Sequence, residues 1–251
     1  MKSIAKYIYA GCIFIVSCTS QSLETTFNTQ ETKIADYAET VRFIECGFLQ
    51  DTDDQGNPLY NNDGSPAISR VALDTIAPVI THNGGATRLT VVPGEGAPLS
   101  ETGSATLYFA GYVFQSGPAW TDFTYTSLDG SDETWLMSTP YTGFTVSSSE
   151  SGLVIGGQGN ASGISLFATN HYATAMMSGW TLSEGDYAPL TADLGSGDLI
   201  DGLQTGLVGV RAGEVCDILF SGKLGLGKKP LGTVPANSAL LYRIWVVSVS
   251  E

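Results

Sequence analysis

The chain has 251 residues, 43% of them hydrophobic and 14% charged. That is too apolar for a disordered protein and too poor in charge for a coiled coil, and no apolar run reaches the roughly 18 residues of a spanning helix. A formal net charge of −14 repels phosphate backbones and argues against nucleic acid as a partner.

Met1 to Lys6 carries Lys2 and Lys6, Tyr7 to Val16 is apolar, and polar Thr19-Ser20-Gln21-Ser22 follows Ser17 and Cys18. A basic start, a short apolar stretch and a small residue at the junction describe a secretory signal. Ile15-Val16-Ser17-Cys18 resembles the bacterial lipoprotein signal, in which the cysteine becomes the lipidated first residue. Residues 1–17 are then a signal peptide and Cys18 the lipidation site. Acyl chains, at roughly 0.8 kcal/mol per buried CH₂, would hold the protein on a membrane of the cell envelope, at the outer membrane or facing the periplasm. Cutting before Cys12 instead would leave an apolar tail on the mature chain.

Residues 18–31 are rich in Thr, Ser, Gln and Glu and read as a flexible tether. Ile34, Tyr37, Ala38, Val41 and Ile44 recur at three- and four-residue spacing, which predicts an amphipathic helix over about 32–46. Asp51 to Gly56 opens like a calcium loop, but its twelfth position is Asn62, where a bidentate Glu is required. It reads as a solvated acidic turn. Residues 65–82 alternate enough for one or two strands, completing an N-terminal extension over 32–84.

From Arg88 onward the chain is strand-like. Leu89 to Val92, Thr106 to Phe114, Val215 to Phe220 and Ala239 to Val249 are apolar runs of strand length. Residues 115–164, with Trp120, Trp135 and Tyr141, form a long Ser-, Thr- and Gly-rich excursion that predicts a hairpin or flap. Solvent exposure of its tryptophans would separate an interaction surface from a private core. Leu199, Ile200, Leu203, Leu207 and Val210 make a short helical stripe, with Ser196 and Asp198 placed to cap its start. One short helix among strands, without regular alternation, predicts an α+β fold with an antiparallel sheet.

Chemistry-bearing motifs are sparse. There is no Gly-x-Ser-x-Gly, no phosphate loop and no His-Glu-x-x-His. His82 and His171 are isolated, which disfavours a His-rich metal site, and His171 reads as a loop residue. Cys46 and Cys216 either pair or remain two buried thiols, the second being the simpler reading. No catalytic acid, base, nucleophile, metal site or cofactor cradle is predicted.

Leu194-Gly195 through Leu199-Ile200-Asp201-Gly202-Leu203 to Gly213-Glu214 resembles the centre of FKBP-type peptidyl-prolyl isomerases. Gly225-Leu226-Gly227, Val234 to Leu240 and the terminal strand follow in that family's order. Leu107 to Val113 and Leu166 to Asn170 resemble its upstream strands. The resemblance covers about 85–251 and implies a twisted antiparallel sheet wrapped on one short helix, with an insertion at 115–164 and an N-terminal helical and extended extension. It implies proline-containing polypeptide segments as partners. It also implies a substrate cup of Phe109, Phe167, Leu190, Leu199, Ile200, Leu203, Leu226, Val234 and Tyr242.

Four positions depart from the family pattern. Leu203 stands for the floor Trp, Phe109 and Leu226 for tyrosines, and Ala168 for an Asp. The resemblance therefore implies a prolyl isomerase or folding helper with weak activity, or a non-catalytic surface-binding module on the same scaffold. The backbone N–H groups of Leu199 and Ile200 remain as donors.

Overall fold

A computed structural model of the chain describes residues 4–251 except 42, 63, 65–66, 117–120, 127–131, 138–143, 150–151, 158–163, 182 and 184. Helix α1 (Ile4–Thr40) leads into strands β1 (Phe43–Gln50), β2 (Ile68–Ile76), β3 (Val79–Asn83), β4 (Ala86–Val92) and β5 (Ser104–Phe114). The excursion holds β6 (Thr121–Thr126), β7 (Asp132–Met137), β8 (Phe144–Ser149) and β9 (Gly152–Gly157). Then come β10 (Ile164–Thr169), α2 (Tyr172–Met177), β11 (Leu190–Asp193), α3 (Asp201–Leu207), β12 (Val215–Phe220) and β13 (Ala239–Ser250).

Seven strands form one sheet in the order β10-β5-β13-β12-β4-β3, with β11 alongside β5, and every pairing is antiparallel. The fold is thus α+β, as the residue pattern predicts. The central strands are covered on both faces, which explains why Leu107 to Phe114 is apolar at nearly every position rather than at every second one. Leu107 and Val113 of β5, Cys216, Ile218 and Phe220 of β12, and Leu240, Tyr242 and Ile244 of β13 form one core beneath α3. Ala110, Tyr112 and Phe114, with Leu219 and Leu241, face the other way into a second core. The predicted stripe Ile34, Tyr37, Ala38 and Val41 closes that second core.

The extent of α1 differs from the expectation. Residues 18–31 are helical rather than a loose tether, and the helix stops at Thr40 rather than near 46. Thr26, Thr29 and Thr32 donate their hydroxyls to the carbonyls four residues back, so the polar stretch satisfies itself within the helix. Gln30 is then held by the sheet's own loops: it accepts the Gly222 N–H at 2.8 Å and donates to the Asn237 carbonyl at 2.8 Å. Ser221 donates to Glu31 at 3.1 Å. Ile44, assigned to the helix by spacing, lies instead in β1, which pairs with β2. Strand β3 lies within residues 32–84 yet belongs to the seven-stranded sheet, so that sheet begins before residue 85.

The excursion contains two antiparallel hairpins, β6–β7 and β8–β9. Trp135 stands opposite Phe123 in register. Trp120 and Tyr141 lie outside the described residues, so the exposure criterion does too. Cys216 is a free, buried thiol, and burial among apolar neighbours pushes its pKa well up.

Helix α3 meets the sheet at closest range through Gly202 and Gly206. A Cβ at Gly202 would lie 2.2 Å from Phe220 Cγ, and one at Gly206 2.3 Å from Ile218 Cγ2. Neither Ser196 nor Asp198 caps this helix. Ile200 occupies the N-cap with no side-chain bond, and the Gly202 N–H is taken by the Leu224 carbonyl at 2.9 Å. Ser196 is engaged locally, donating to the Asp193 carbonyl and accepting the Asp198 N–H. At the other end Arg88 donates to the Gly206 and Val208 carbonyls, closing the helix C-terminus.

Candidate binding pocket

A cavity of about 250 Å³ opens between α3 and the sheet. Three structural features shape it. Alternation along β5 and β13 directs Leu107, Phe109, Tyr242 and Ile244 to one face. The four-residue spacing of Leu203 and Leu207 brings both onto the helix side. A bulge between Leu166 and Ala168 lets Phe167 and Ala168 both turn toward this face, while Leu166 stays in the opposite core.

Tyr242 is the centre of an aromatic group. Its ring lies 6.0 Å from Phe220 in a stacked arrangement, 5.8 Å from Phe167 edge-on and 6.2 Å from Phe109. Gly111 makes this possible: a Cβ there would sit 2.8 Å from Phe167 Cζ and 3.0 Å from Tyr242 Cε1. Burial pushes the Tyr242 phenol up to about 12, so it stays a neutral donor through the physiological range.

Five of the nine residues of the expected cup line the cavity: Phe109, Leu190, Leu199, Leu203 and Tyr242. The other four do not. Phe167 packs edge-on against Tyr242, Ile200 is the N-cap of α3, and Leu226 and Val234 pack into the surrounding core. Leu107, Ala192, Leu207 and Ile244 complete the wall and were not in the expected set, nor was Ala168, noted only as a departure. Leu107, Ala192, Leu207 and Ile244 each lie two or four residues from an expected member on the same element, so strand alternation and helical spacing would have found them; Ala168 follows Phe167 directly and reaches the cavity through the bulge.

The rim is fixed by one buried side chain. Asn170 Oδ1 accepts the Phe109 N–H at 2.7 Å, and its Nδ2 donates to the Ala188 carbonyl at 2.9 Å. It thereby ties the segment leading to Leu190 to the pocket wall. His171, next in sequence, lies away from the cavity. Its ring stacks on Trp245 at 3.8 Å and its Nδ1 meets Thr174 Oγ1 at 2.9 Å. It is half-buried rather than a solvated loop residue; burial first, then the charge of Arg243, lowers its pKa.

Among the described residues the lining carries one phenol and otherwise aliphatic and phenyl groups. Such a wall can desolvate and shape a bound group. The peptide C–N bond has a rotation barrier of about 18–20 kcal/mol, and its planar form carries the larger dipole. Water favours that planar form. An apolar pocket removes the preference and can fit the twisted geometry, which is differential binding of a transition state without proton transfer.

Residues 162–247 match the family model of FKBP-type peptidyl-prolyl cis-trans isomerase. Over 84 residues the chain is 34% identical to human peptidyl-prolyl cis-trans isomerase FKBP10, covering 33% of this chain and 14% of that protein. It is 29% identical over 62 residues to FK506-binding protein 1 of Aspergillus oryzae, covering 25% of this chain and 53% of that one. The chain thus matches about one seventh of the first relative and about half of the second. A solved peptidyl-prolyl cis-trans isomerase from Pseudomonas syringae aligns with a TM-score of 0.37 at 13% identity, over 68% of this chain and 81% of that one. The matched segment spans β10 to β13, hence most of the cavity wall, and it carries the sequence signature of the FKBP-type peptidyl-prolyl isomerases.

Proposed function

We propose that the protein is an FKBP-type peptidyl-prolyl cis-trans isomerase or folding helper of a bacterial envelope, with low intrinsic turnover, acting on proline-containing polypeptide segments. The observation that carries this reading is the apolar cavity beside Tyr242, built largely by the segment that matches the isomerase family. A proline ring enters the cup between Leu203 and Tyr242 and loses water on both faces. Turnover is low because Phe109 and Ala168 bring no hydroxyl or carboxyl to the wall, leaving Tyr242 as the one side-chain donor among its described residues.

The measurement is catalysed cis/trans exchange on short X–Pro peptides, followed by NMR exchange spectroscopy. Exchange above background that is lost in Phe109→Ala supports the isomerase. Background exchange for every peptide, with the protein folded, favours a non-catalytic binding module, a reading motivated by the same missing hydroxyls. The lipid anchor rests on Lys2, Lys6, the apolar Tyr7–Val16 stretch and Ser17-Cys18. Its test is metabolic labelling with a fatty acid, abolished by Cys18→Ser.

A further inference from the structure

Because residues 18–31 are helical, Cys18 is joined to the sheet by a stiff rod rather than a loose tether. Leu23, Thr26 and Lys33 share a groove with Gln115, Pro235 and Asn237 at one end of the sheet. Leu23 follows Cys18 by about 8 Å along the helix axis. A lipid on Cys18 would therefore hold that end of the domain against the bilayer.

The same end carries the basic loop of an acidic chain. Lys2 and Lys6 lie in the first six residues and Lys33 on α1; the remaining lysines, Lys223, Lys228 and Lys229, all fall between β12 and β13. Residues 221–238 contain these three cations and no acid, in a chain of net charge −14. Hydrogen bonds tie the loop to α1. Gln30 accepts the Gly222 N–H at 2.8 Å, and Lys223 comes next. Gln30 donates to the Asn237 carbonyl at 2.8 Å, the Asn237 N–H donates to the Gly227 carbonyl at 2.7 Å, and Lys228 and Lys229 follow. Leu226 and Val234 pack into the core beneath α3, while every residue over 228–233 is exposed. The tip thus offers two lysines and Leu231, 60% exposed, to the surroundings. Among the described residues none of the three lysines forms an ion pair; the pairs there are Arg88–Glu214 and Arg243–Asp217.

Unpaired lysines around an exposed leucine, at the end where the anchor enters, fit an anionic surface with an apolar interior. We propose that the tip of this loop rests on the bilayer that holds the anchor, with Lys223, Lys228 and Lys229 against anionic lipid headgroups and Leu231 at the edge of the acyl region. This rests on the proposed lipidation of Cys18 and specifies which face the anchored domain turns to the membrane. Each lysine near an anionic bilayer strengthens association about fivefold, and salt screens the attraction. An apolar side chain among lysines gains burial at the boundary between headgroups and acyl chains.

The experiment uses the full chain in vesicles of phosphatidylcholine, alone or with about 30% phosphatidylglycerol, at about 20 mM and about 500 mM NaCl. Flotation reads attachment. Amide hydrogen exchange over 223–234 reads the loop, with β12 as the internal reference. On anionic vesicles at low salt the tip should exchange roughly tenfold more slowly than on neutral ones, and high salt should remove the difference. Lys223→Gln with Lys228→Gln and Lys229→Gln should abolish it, and Leu231→Ser should reduce it. Equal exchange on both vesicles, with the chain afloat on both, overturns the inference and leaves the anchor standing. A difference that survives the triple variant overturns the assignment to these lysines. Slowing by millimolar inorganic phosphate without vesicles assigns the lysines to a small anion and overturns the membrane contact. Flotation on anionic vesicles alone, lost in the triple variant, overturns the anchor and supports the loop. Flotation on neither overturns both.

Discussion

Gly206→Ala sets two effects of known size against each other. In an exposed helix interior, alanine in place of glycine stabilises by about 1 kcal/mol. Here the new Cβ would lie 2.3 Å from Ile218 Cγ2, against an optimal carbon–carbon separation of about 3.5–4.0 Å. Relief requires α3 to move off β12 by more than about 1 Å, and overpacking of this kind costs about 1–3 kcal/mol or more. The clash wins, so Gly206→Ala should destabilise by roughly 1–2 kcal/mol net.

Ile218→Ala removes the offending methyl. In that background Gly206→Ala should recover its helix propensity and become stabilising, a reversal of sign that a double-mutant cycle reads directly. Urea unfolding followed by far-UV circular dichroism gives all four stabilities. Leu203 and Leu207 ride on the same helix and line the cavity, so the single variant should also weaken binding of an X–Pro peptide. A Gly206→Ala protein more stable than the parent in the Ile218 background would refute the close helix–sheet contact.

Tyr242 has its phenol raised from 10.0 to about 12 by burial. A raised folded-state value means the neutral form stabilises the fold fully below pH 10 and that this contribution is lost as pH rises through about 12. Stability measured by urea midpoint should fall over that alkaline window, and Tyr242→Phe should flatten the fall; an unchanged profile would refute the assignment. Asp217 is fully buried and pairs with Arg243 at 2.8 Å through Nη2. Asp217→Ala leaves a buried guanidinium without that carboxylate and should cost about 3–5 kcal/mol, whereas replacing both residues by apolar ones should cost much less. A loss below about 1 kcal/mol in the single variant would show that the pair is not buried as described.

The sequence by itself determined four strands of the large sheet, β4, β5, β12 and β13, and which apolar stripe of α1 is buried. Val215 to Phe220 and Ala239 to Val249 could be read as strands because β12 and β13 are covered on both faces, leaving runs with few polar interruptions. The stripe Ile34, Tyr37, Ala38 and Val41 was legible because helical periodicity is local. Five cup residues followed from the family resemblance, since it fixes positions along a shared order of elements.

Tertiary structure alone decided that the polar residues 18–31 join α1, where Gln30 is held by Gly222 and Asn237, 192 and 207 positions away. It alone sent Ile44 into a strand, because its partner strand β2 lies beyond an intervening loop. It also separated Phe167, which packs edge-on against Tyr242, from Leu107 and Ile244, which meet the cavity. Periodicity reports which side of an element is apolar. What covers that side depends on register, a bulge and a missing Cβ at Gly111, and those are properties of the assembled sheet.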